Sequence, residues 1–351
     1  MSKLTIKEIA KMAGVSPTTV SFVLNDKQGV SDETRKKVKE IIQKTNFKPS
    51  LNSRRLFFKK SYNISLVMQQ TSSPFDDLFY FDITKGLLEK SKKFGYNLVF
   101  ADIDMRGNNV VLPEIIRRND TDGVVFLADM PPAIINQIEK REIPFVVIDS
   151  QSLSNEYSSI RADYRLSART ATKYLVDMGH RDIAFVGKSN VPNFYLQVFS
   201  GYKDVLDEAG IPIPSSWIQI DAVDELSAYH CMEHILRSGS IPSAVFCATD
   251  VFSIGAINCA RSMGYRVPED ISFASIDDVL LSRYFDPRLT TVSIDMFKMG
   301  SLAMEMIVQK INGKPVQSVT IESDNLIIRD SVTSREPSVC LNNTRYESTA
   351  L

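Results

Sequence analysis

The sequence has few of the residues that cross-linked and reactive sites require. Its 351 residues include four cysteines and three histidines, and no Cys-x-x-Cys pair occurs. This argues against a disulfide framework or a structural zinc site. No apolar run approaches the ~18 residues of a membrane span, and the first fifteen residues carry lysine and glutamate where a secretory signal needs an unbroken apolar stretch. The sequence therefore predicts a cytoplasmic protein with no membrane association.

Motifs for phosphate, dinucleotide and serine-hydrolase chemistry are also absent, since GxxxxGK[ST], GxGxxG and GxSxG do not occur. His230 and His234 fit the H-x-x-E-H pattern of a zinc protease, so a hydrolase is one hypothesis. However, helical spacing places both histidines opposite an apolar face. That face consists of Ala228, Cys231, Met232, Ile235 and Leu236. We therefore expect no enzymatic activity, no cofactor and no metal.

What is present is a globular composition, 44% hydrophobic and 24% charged, long enough for two or three domains. The net charge of −1 conceals a division of charge along the chain. Residues 1–60 hold 14 Lys and Arg against 5 Asp and Glu, whereas the remainder holds 27 against 37. A small basic head on a large acidic body indicates a polyanionic partner for the head alone.

The head reads as three short helices. Thr5 and Glu8 form a capping-box pattern, and Gly14 can end the first helix in a left-handed turn. Ser16 and Ser31 are predicted N-caps of the second and third helices. The expected core residues are Ile9, Ala10, Met12, Val15, Val20, Val23, Leu24 and Val38. Two helices joined by a glycine-containing turn are the parts of a helix-turn-helix, whose second helix can enter a major groove.

The segment TIKEIAKMAGVSPTTVSFVLN, followed by VSDETRKKVKEII, resembles the N-terminal domain of the LacI–GalR family of bacterial repressors. The resemblance implies that Thr18 and Phe22 face bases of double-stranded operator DNA. Phe22 replaces a residue that is often polar in the family, so it either presses on a thymine methyl or packs inward. The resemblance further implies phosphate-binding or helix-orienting roles for Thr5, Ser16, Thr19, Ser21, Asn25, Ser31 and Thr34.

The segment TNFKPSLNSRRLFFKKS resembles the hinge helix of the same family. Pro49 disfavours continuation of the third helix through Lys48. The resemblance implies that Leu56 wedges into the minor groove together with its copy in a homodimer, while Ser53 and Arg54 contact the DNA. A plain basic linker is the alternative interpretation of this segment.

The body alternates short apolar runs with amphipathic helices, which indicates an α/β fold with two mainly parallel sheets. The predicted strands are 64–68, 98–101, 124–127, 145–148, 183–186, 244–247, 271–274, 290–293 and 319–321. Helical segments are predicted between them, for example 81–94, 165–179, 195–209, 226–238, 251–263 and 296–312. Ligands bind beyond the carboxyl ends of such strands, where Asp149 and Asp250 follow two of them. Capping of the next helix is the alternative role for each aspartate.

Stretches such as GHRDIAFVG and SIDDVLLSRYFDPRLTTV resemble the family's effector domain, a two-lobed body like a periplasmic binding protein. The resemblance implies a small-molecule effector between the lobes, lined by Phe75, Asp149 and Asp250, with Gln197 and Asp277 as further candidates. Val198 stands where the family often has an arginine that binds anions. We therefore expect a sugar or another neutral hydroxylated effector.

The complete prediction is a small all-α helix-turn-helix head on a two-lobed periplasmic-binding-protein-like α/β body. The boundaries are 1–46 for the head, 47–61 for the hinge, 62–332 for the body and 333–351 for a disordered tail. Within the body, lobe 1 comprises about 62–161 and 291–322, and lobe 2 about 162–290 and 323–332. The predicted function is a homodimeric, effector-controlled repressor. The alternative is a small-molecule binding protein without a role on DNA.

Overall fold

The computed structural model describes residues 4–24, 28–45, 47, 60–69, 77–106, 109–151 and 157–335. Predictions for Asn25, Ser53, Arg54, Leu56 and Phe75 lie outside these residues. Within them, no helix is long and apolar enough to cross a membrane.

The head contains α1 (Ile6–Ala13), α2 (Pro17–Leu24) and α3 (Asp32–Thr45). The capping box of Thr5 and Glu8 is confirmed, and Gly14 ends α1 at a φ of 69°. Ile9, Ala10, Val20, Val23 and Val38 are buried together, as predicted. The prediction for Met12 was wrong, because its side chain is 53% exposed. Ile6 and Ala13 occupy the buried face of α1 instead.

The body consists of two α/β lobes. Lobe 1 holds a seven-stranded sheet in the order β12-β6-β5-β4-β1-β2-β3, in which only the β2–β3 pair is antiparallel. Its strands are β1 (Asn63–Gln69), β2 (Asn97–Arg106), β3 (Asn109–Val111), β4 (Gly123–Leu127), β5 (Phe145–Ile148), β6 (Ser159–Ala162) and β12 (Val319–Ile321). Its helices are α4 (Leu78–Phe94), α5 (Glu114–Arg117), α6 (Pro132–Glu139) and α11 (Met296–Ile311).

Lobe 2 holds a six-stranded sheet in the order β13-β11-β10-β9-β7-β8, in which only the β11–β13 pair is antiparallel. Its strands are β7 (Ile183–Val186), β8 (Ile218–Gln219), β9 (Ala244–Cys247), β10 (Ser272–Asp277), β11 (Thr290–Ser293) and β13 (Leu326–Ile327). Its helices are α7 (Tyr164–Asp177), α8 (Pro192–Glu208), α9 (Glu225–Arg237) and α10 (Asp250–Ser262), with 3-10 turns at Ser215–Trp217 and Leu280–Arg283.

Over its described residues, the chain passes between the lobes three times, near 163, 294–295 and 322–325. The middle crossing lies later than the predicted lobe boundary at 290/291. Thr290–Ser293 pairs in parallel with β10 of lobe 2, and α11 of lobe 1 begins at Met296. Three crossings close together form a hinge about which the lobes can rotate.

The four strands that the sequence pattern missed are β3, β6, β8 and β13. Each has two to four residues, and three of the four lie at an edge of a sheet. The remaining one, β6, reads Ser-Ile-Arg-Ala and lacks an apolar run. Strands this short are defined by their neighbours in the sheet rather than by their own hydrophobic pattern.

Candidate nucleic-acid interface and ligand cleft

The exposed surface of α2 is polar and rich in hydroxyls. Ser16 caps the helix by accepting a hydrogen bond from the backbone N–H of Thr19 at 3.1 Å, and the two hydroxyls lie 2.9 Å apart. Thr18 is exposed and Thr19 is half-buried. Short hydroxyl side chains with no acidic neighbour in the first turn can approach phosphates and base edges.

Two other predicted DNA contacts lie at helix N-termini, where backbone N–H groups favour anions. Thr5 donates to Glu8 from its backbone N–H at 2.6 Å and from its hydroxyl at 2.9 Å. These bonds lower the pKa of Glu8. At α3, the Ser31 hydroxyl accepts from the N–H of Thr34 at 3.3 Å and donates to its hydroxyl at 2.9 Å. Both N-termini are therefore preorganised by their caps.

Ser21 and Phe22 are less accessible than Thr18. Ser21 is buried in the head, a position suited to orienting α2 rather than touching a phosphate. Phe22 is half-buried, and a Cβ atom placed on Gly29 would lie 3.6 Å from its ring carbon Cε2. Of the two interpretations of Phe22, this packing against the loop after α2 favours the inward one.

In the body, Asp149 directly follows β5 and holds the positive φ of 55°. Its carboxylate accepts hydrogen bonds from Tyr80 Oη at 3.1 Å, Tyr164 Oη at 2.6 Å and Gln151 Nε2 at 2.9 Å. Tyr80 belongs to lobe 1, whereas Tyr164 begins α7 of lobe 2. Asp149 therefore joins the two lobes at the cleft.

Burial away from water raises the pKa of Asp149 from 3.8 to about 6. The hydrogen bond from Tyr164, the positive charge of Lys188 and the hydrogen bond from Tyr80 act in the opposite direction and lower this pKa. Burial disfavours the charged carboxylate more than these groups favour it. The pKa of Asp149, about 6, therefore lies well above that of an ordinary aspartate.

Asp149→Asn is expected to remove a fall in stability between about pH 4 and pH 6. With its pKa raised to about 6, native Asp149 retains a proton that the unfolded chain releases, so its contribution declines as the pH rises through this window. Urea denaturation at several pH values measures the difference between the two proteins. Asp102→Asn, which changes an exposed aspartate, is the control. If the difference in stability between Asp149→Asn and the parent protein did not vary with pH, the raised pKa of Asp149 would be contradicted.

Asp277 ends β10 and Asp278 follows it, and the two side chains have different surroundings. Asp278 forms ion pairs with Arg283 at 3.1 Å and Arg329 at 2.5 Å. Asp277 is nearly buried, and burial raises its pKa well above the usual value. The negative charges of Asp250, Asp77 and Asp149 raise this pKa further.

Asp250 is completely buried in lobe 2. One carboxylate oxygen accepts from Ser275 at 2.5 Å and Thr291 at 2.6 Å, and the other accepts from Ser282 and from the N–H of Val279 at 2.9 Å. Thr249, not Asp250, caps α10. Direct contact between Asp250 and an effector stays a prediction, but the geometry favours a positioning role that ties β10 and β11 to the 279–282 turn.

Gln197 forms a second contact between the lobes, donating from Nε2 to Gln151 Oε1 at 3.2 Å. Its neighbour Val198 is fully buried in lobe 2, so the position that often holds arginine in the family adds no charge to the cleft. Lys188, which follows β7, is half-buried, with its Nζ 4.9 Å from the ring centroid of Phe194.

Sequence reasoning missed Lys188, Tyr80 and Tyr164. Lys188 could have been found from the sequence. Ligands bind beyond the carboxyl ends of parallel strands, and this rule, which identified Asp149, applies equally to the residues that follow β7. The two tyrosines gave no signal, since they lie in helical segments and reach Asp149 only after the lobes are assembled.

His230 and His234 project into solvent from α9, as predicted, and the opposite apolar face is buried. His230 lies 3.5 Å from Glu233. Within the described residues, no group of three or more His, Cys, Asp or Glu side chains could hold a metal ion.

Comparisons with known proteins match both parts of the chain. The model for bacterial regulatory proteins of the lacI family matches residues 5–50, and that for a periplasmic binding protein-like domain matches 172–332. The chain is 32% identical to the HTH-type transcriptional repressor PurR of Pasteurella multocida over 339 residues, 94% of this chain and 99% of that protein.

Two solved structures share the fold over nearly the whole chain. The complex of the transcriptional regulator CelR with cellobiose has a TM-score of 0.67 at 25% identity and covers 93% of this chain and 99% of its own. The lac repressor dimer bound to operator and the anti-inducer ONPF has a TM-score of 0.73 at 22% identity and covers 95% and 100%. Helix-turn-helix head, two-lobed body and full-length relatives agree: the chain belongs to the LacI family of bacterial transcriptional regulators, and it is not an enzyme.

Proposed function

We propose that this chain is a homodimeric repressor that binds a pseudo-palindromic operator and is controlled by a sugar-like effector in its cleft. The observation that carries the proposal is the union of a basic helix-turn-helix head with a body whose two lobes meet at polar side chains. A binding protein without a role on DNA would leave the head unexplained.

On the DNA, Thr18 is the described residue best placed to reach base edges, because it is exposed on α2. Phe22 contributes a thymine-methyl contact or holds the loop after α2. The proposed phosphate and orienting contacts are Thr5, Ser16, Thr19, Ser21, Asn25, Ser31 and Thr34. Ser53, Arg54 and Leu56 are proposed to act in the hinge, with Leu56 as a minor-groove wedge.

In the cleft, the proposed effector is a hydroxylated metabolite without an acidic group. Asp149, Gln197 and Asp277 supply polar contacts, and Phe75 is proposed to stack on a ring face. The buried Val198 and the several carboxylates disfavour an anionic ligand. The structure of the CelR–cellobiose complex, which shares this fold, supports a sugar-like molecule.

Switching is proposed to work by changing the angle between the lobes. The Tyr164–Asp149 and Gln197–Gln151 hydrogen bonds already cross the cleft, so a ligand inserted there acts directly on contacts between the lobes. A ligand shifts the equilibrium only through its differential affinity for the open and closed forms. The affinities for effector and operator are then reciprocally linked.

The homodimer is supported by large apolar side chains that remain exposed on the body. Tyr284 is 78% exposed, and Leu280, Leu281, Leu88 and Phe297 are also exposed. Leu280, Leu281 and Tyr284 lie within five residues of one another along the chain, and apolar side chains grouped on an exposed surface are characteristic of protein interfaces. The lac repressor that shares this fold was crystallised as a dimer.

Removing residues 1–60 is expected to abolish specific DNA binding and leave effector binding intact. Duplexes selected from a random-sequence pool by the intact protein serve as the operator probe in gel shifts. The truncated chain should bind them at least ~1,000-fold more weakly, because specific binding exceeds non-specific binding by about this factor or more. Equal retardation by both proteins would refute the proposed function.

Leu56→Ala is expected to weaken binding to the selected operator by about tenfold or more and to leave non-operator binding nearly unchanged. A minor-groove wedge acts only on a duplex that is bent at the specific site, whereas non-operator binding is dominated by phosphate contacts. Gel shifts on both DNAs measure the two losses. Arg54→Ala is the comparison, since losing a phosphate contact should weaken both; equal losses for Leu56→Ala would exclude the wedge.

A further inference from the structure

We propose that the effector carries a positively charged nitrogen beside its hydroxyls, as an amino sugar does, and that Asp277 is the residue that binds this nitrogen. The inference rests on the proposed function and narrows its effector class. It starts from a difference between Asp277 and the other carboxylates around the cleft.

Asp277 is 7% exposed, and within the described part of the chain its carboxylate accepts no hydrogen bond and forms no ion pair. Its neighbours are satisfied: Asp250 accepts four hydrogen bonds, Asp149 three, and Asp278 pairs with two arginines. A buried carboxylate without a donor is costly, so Asp277 is preorganised for a donor that arrives from outside.

The charges facing Asp277 are mostly negative. Asp250 acts on it from α10, Asp77 from the N-terminus of α4, and Asp149 from the end of β5. Lys188, after β7, is the opposing positive charge, and the nearby phenol of Tyr164 is neutral. A cation in this position relieves both the repulsion and the desolvation of Asp277, as an opposite charge favours an ionised carboxylate.

Lys188 does not itself satisfy Asp277. Its Nζ lies over the ring of Phe194, and among the described residues it forms no ion pair with a carboxylate. Lys188 therefore lowers the negative potential of the cleft without occupying the donor position at Asp277.

Other occupants fit less well. A divalent metal needs several converging ligands, and no group of three suitable side chains occurs in the described residues. An anion would be repelled by the carboxylates of Asp250, Asp77 and Asp149, and only Lys188 would attract it among the described charges that act on Asp277. A neutral polyol can donate hydroxyl groups, but it leaves the charge of Asp277 uncompensated, whereas an ammonium group supplies both donors and charge.

Calorimetric titration of the full-length protein with matched sugar pairs tests the inference. The probes are glucosamine with glucose, galactosamine with galactose, and mannosamine with mannose. For at least one pair, the amine is expected to bind at least about tenfold more tightly than the neutral sugar. Neutral sugars binding as tightly as their amines, or no amine binding at all, would overturn the inference.

Asp277→Asn should remove this preference, weakening the amine by at least about tenfold and the neutral sugar by less than about threefold. Asp77→Asn is the matched control, because asparagine retains the N-cap acceptor that Asp77 offers to Phe79 at 3.0 Å and removes a neighbouring negative charge while Asp277 stays in place. Equal losses in the two variants, or a preference that survives Asp277→Asn, would exclude Asp277 as the binding group.

A third measurement does not depend on substitution. Burial raises the pKa of Asp277, and a bound cation favours its ionised form. Below that raised pKa, binding of the amine should therefore release a proton, which titrations over a pH series in buffers of different ionisation enthalpy measure. Absence of proton release by the amine would contradict the inference. If a neutral sugar changes operator retardation while its amine shows no advantage, the proposed function stands and this inference fails.

Discussion

Asp250→Ala is expected to lower the free energy of unfolding of the body by about 3–5 kcal/mol. The substitution leaves the hydroxyls of Ser275, Ser282 and Thr291 and the N–H of Val279 without their shared acceptor in a fully buried site. Breaking a buried charged network by removing one member typically costs this much. Urea denaturation monitored by the fluorescence of Trp217, which is buried in lobe 2, measures the loss.

The control for Asp250 is Asp182→Ala, which removes an exposed aspartate side chain from the same lobe and should change stability by less than about 0.5 kcal/mol. If Asp250→Ala unfolds like the parent protein but loses its response to the effector, Asp250 is a ligand contact rather than a positioning residue. Loss of stability together with normal operator binding at low temperature supports the positioning role.

Gly300→Ala is expected to destabilise lobe 1 by about 3 kcal/mol, because α4 and α11 cross with their backbones in contact. A Cβ atom on Gly300 would lie 1.9 Å from the carbonyl oxygen of Ile83, and one on Gly86 would lie 2.1 Å from that of Phe297. The obstruction is backbone rather than a movable side chain, so the helices must separate. Denaturation of the full-length protein measures the effect.

Ser301→Ala is the control for this crossing, since it changes the next residue of the same helix. The hydroxyl of Ser301 is buried and, among the described residues, has no hydrogen-bond partner, so its removal should be neutral or slightly stabilising. If the Gly300→Ala variant were as stable as the Ser301→Ala variant, the backbones of α4 and α11 would not be in the close contact described here.

Much of the fold could be predicted because its signals are local. The capping box of Thr5 and Glu8 is confirmed, and the strands Phe145–Ile148, Ile183–Val186 and Ala244–Cys247 have the predicted bounds. Each is a continuous apolar run buried on both faces, which is the pattern that parallel sheets impose.

The cleft was predicted less completely, for a physical reason. Asp149 and Asp250 both lie beyond the carboxyl end of a parallel strand, and the sequence pattern treats them alike. In the structure, Asp149 meets tyrosines from both lobes, whereas Asp250 is enclosed by hydroxyls of its own lobe. Those partners lie up to 69 residues away along the chain, so no local pattern reports them.

The sequence by itself determined most of the helices and strands, the basic head and the family, because caps, apolar periodicity and charge are properties of neighbouring residues. Only the tertiary structure decided which carboxylate is free to meet a ligand. The availability of Asp277 depends on the donors that surround Asp149, Asp250 and Asp278. Hydrogen bonding and desolvation at a buried site are set by residues that folding brings together from distant parts of the chain.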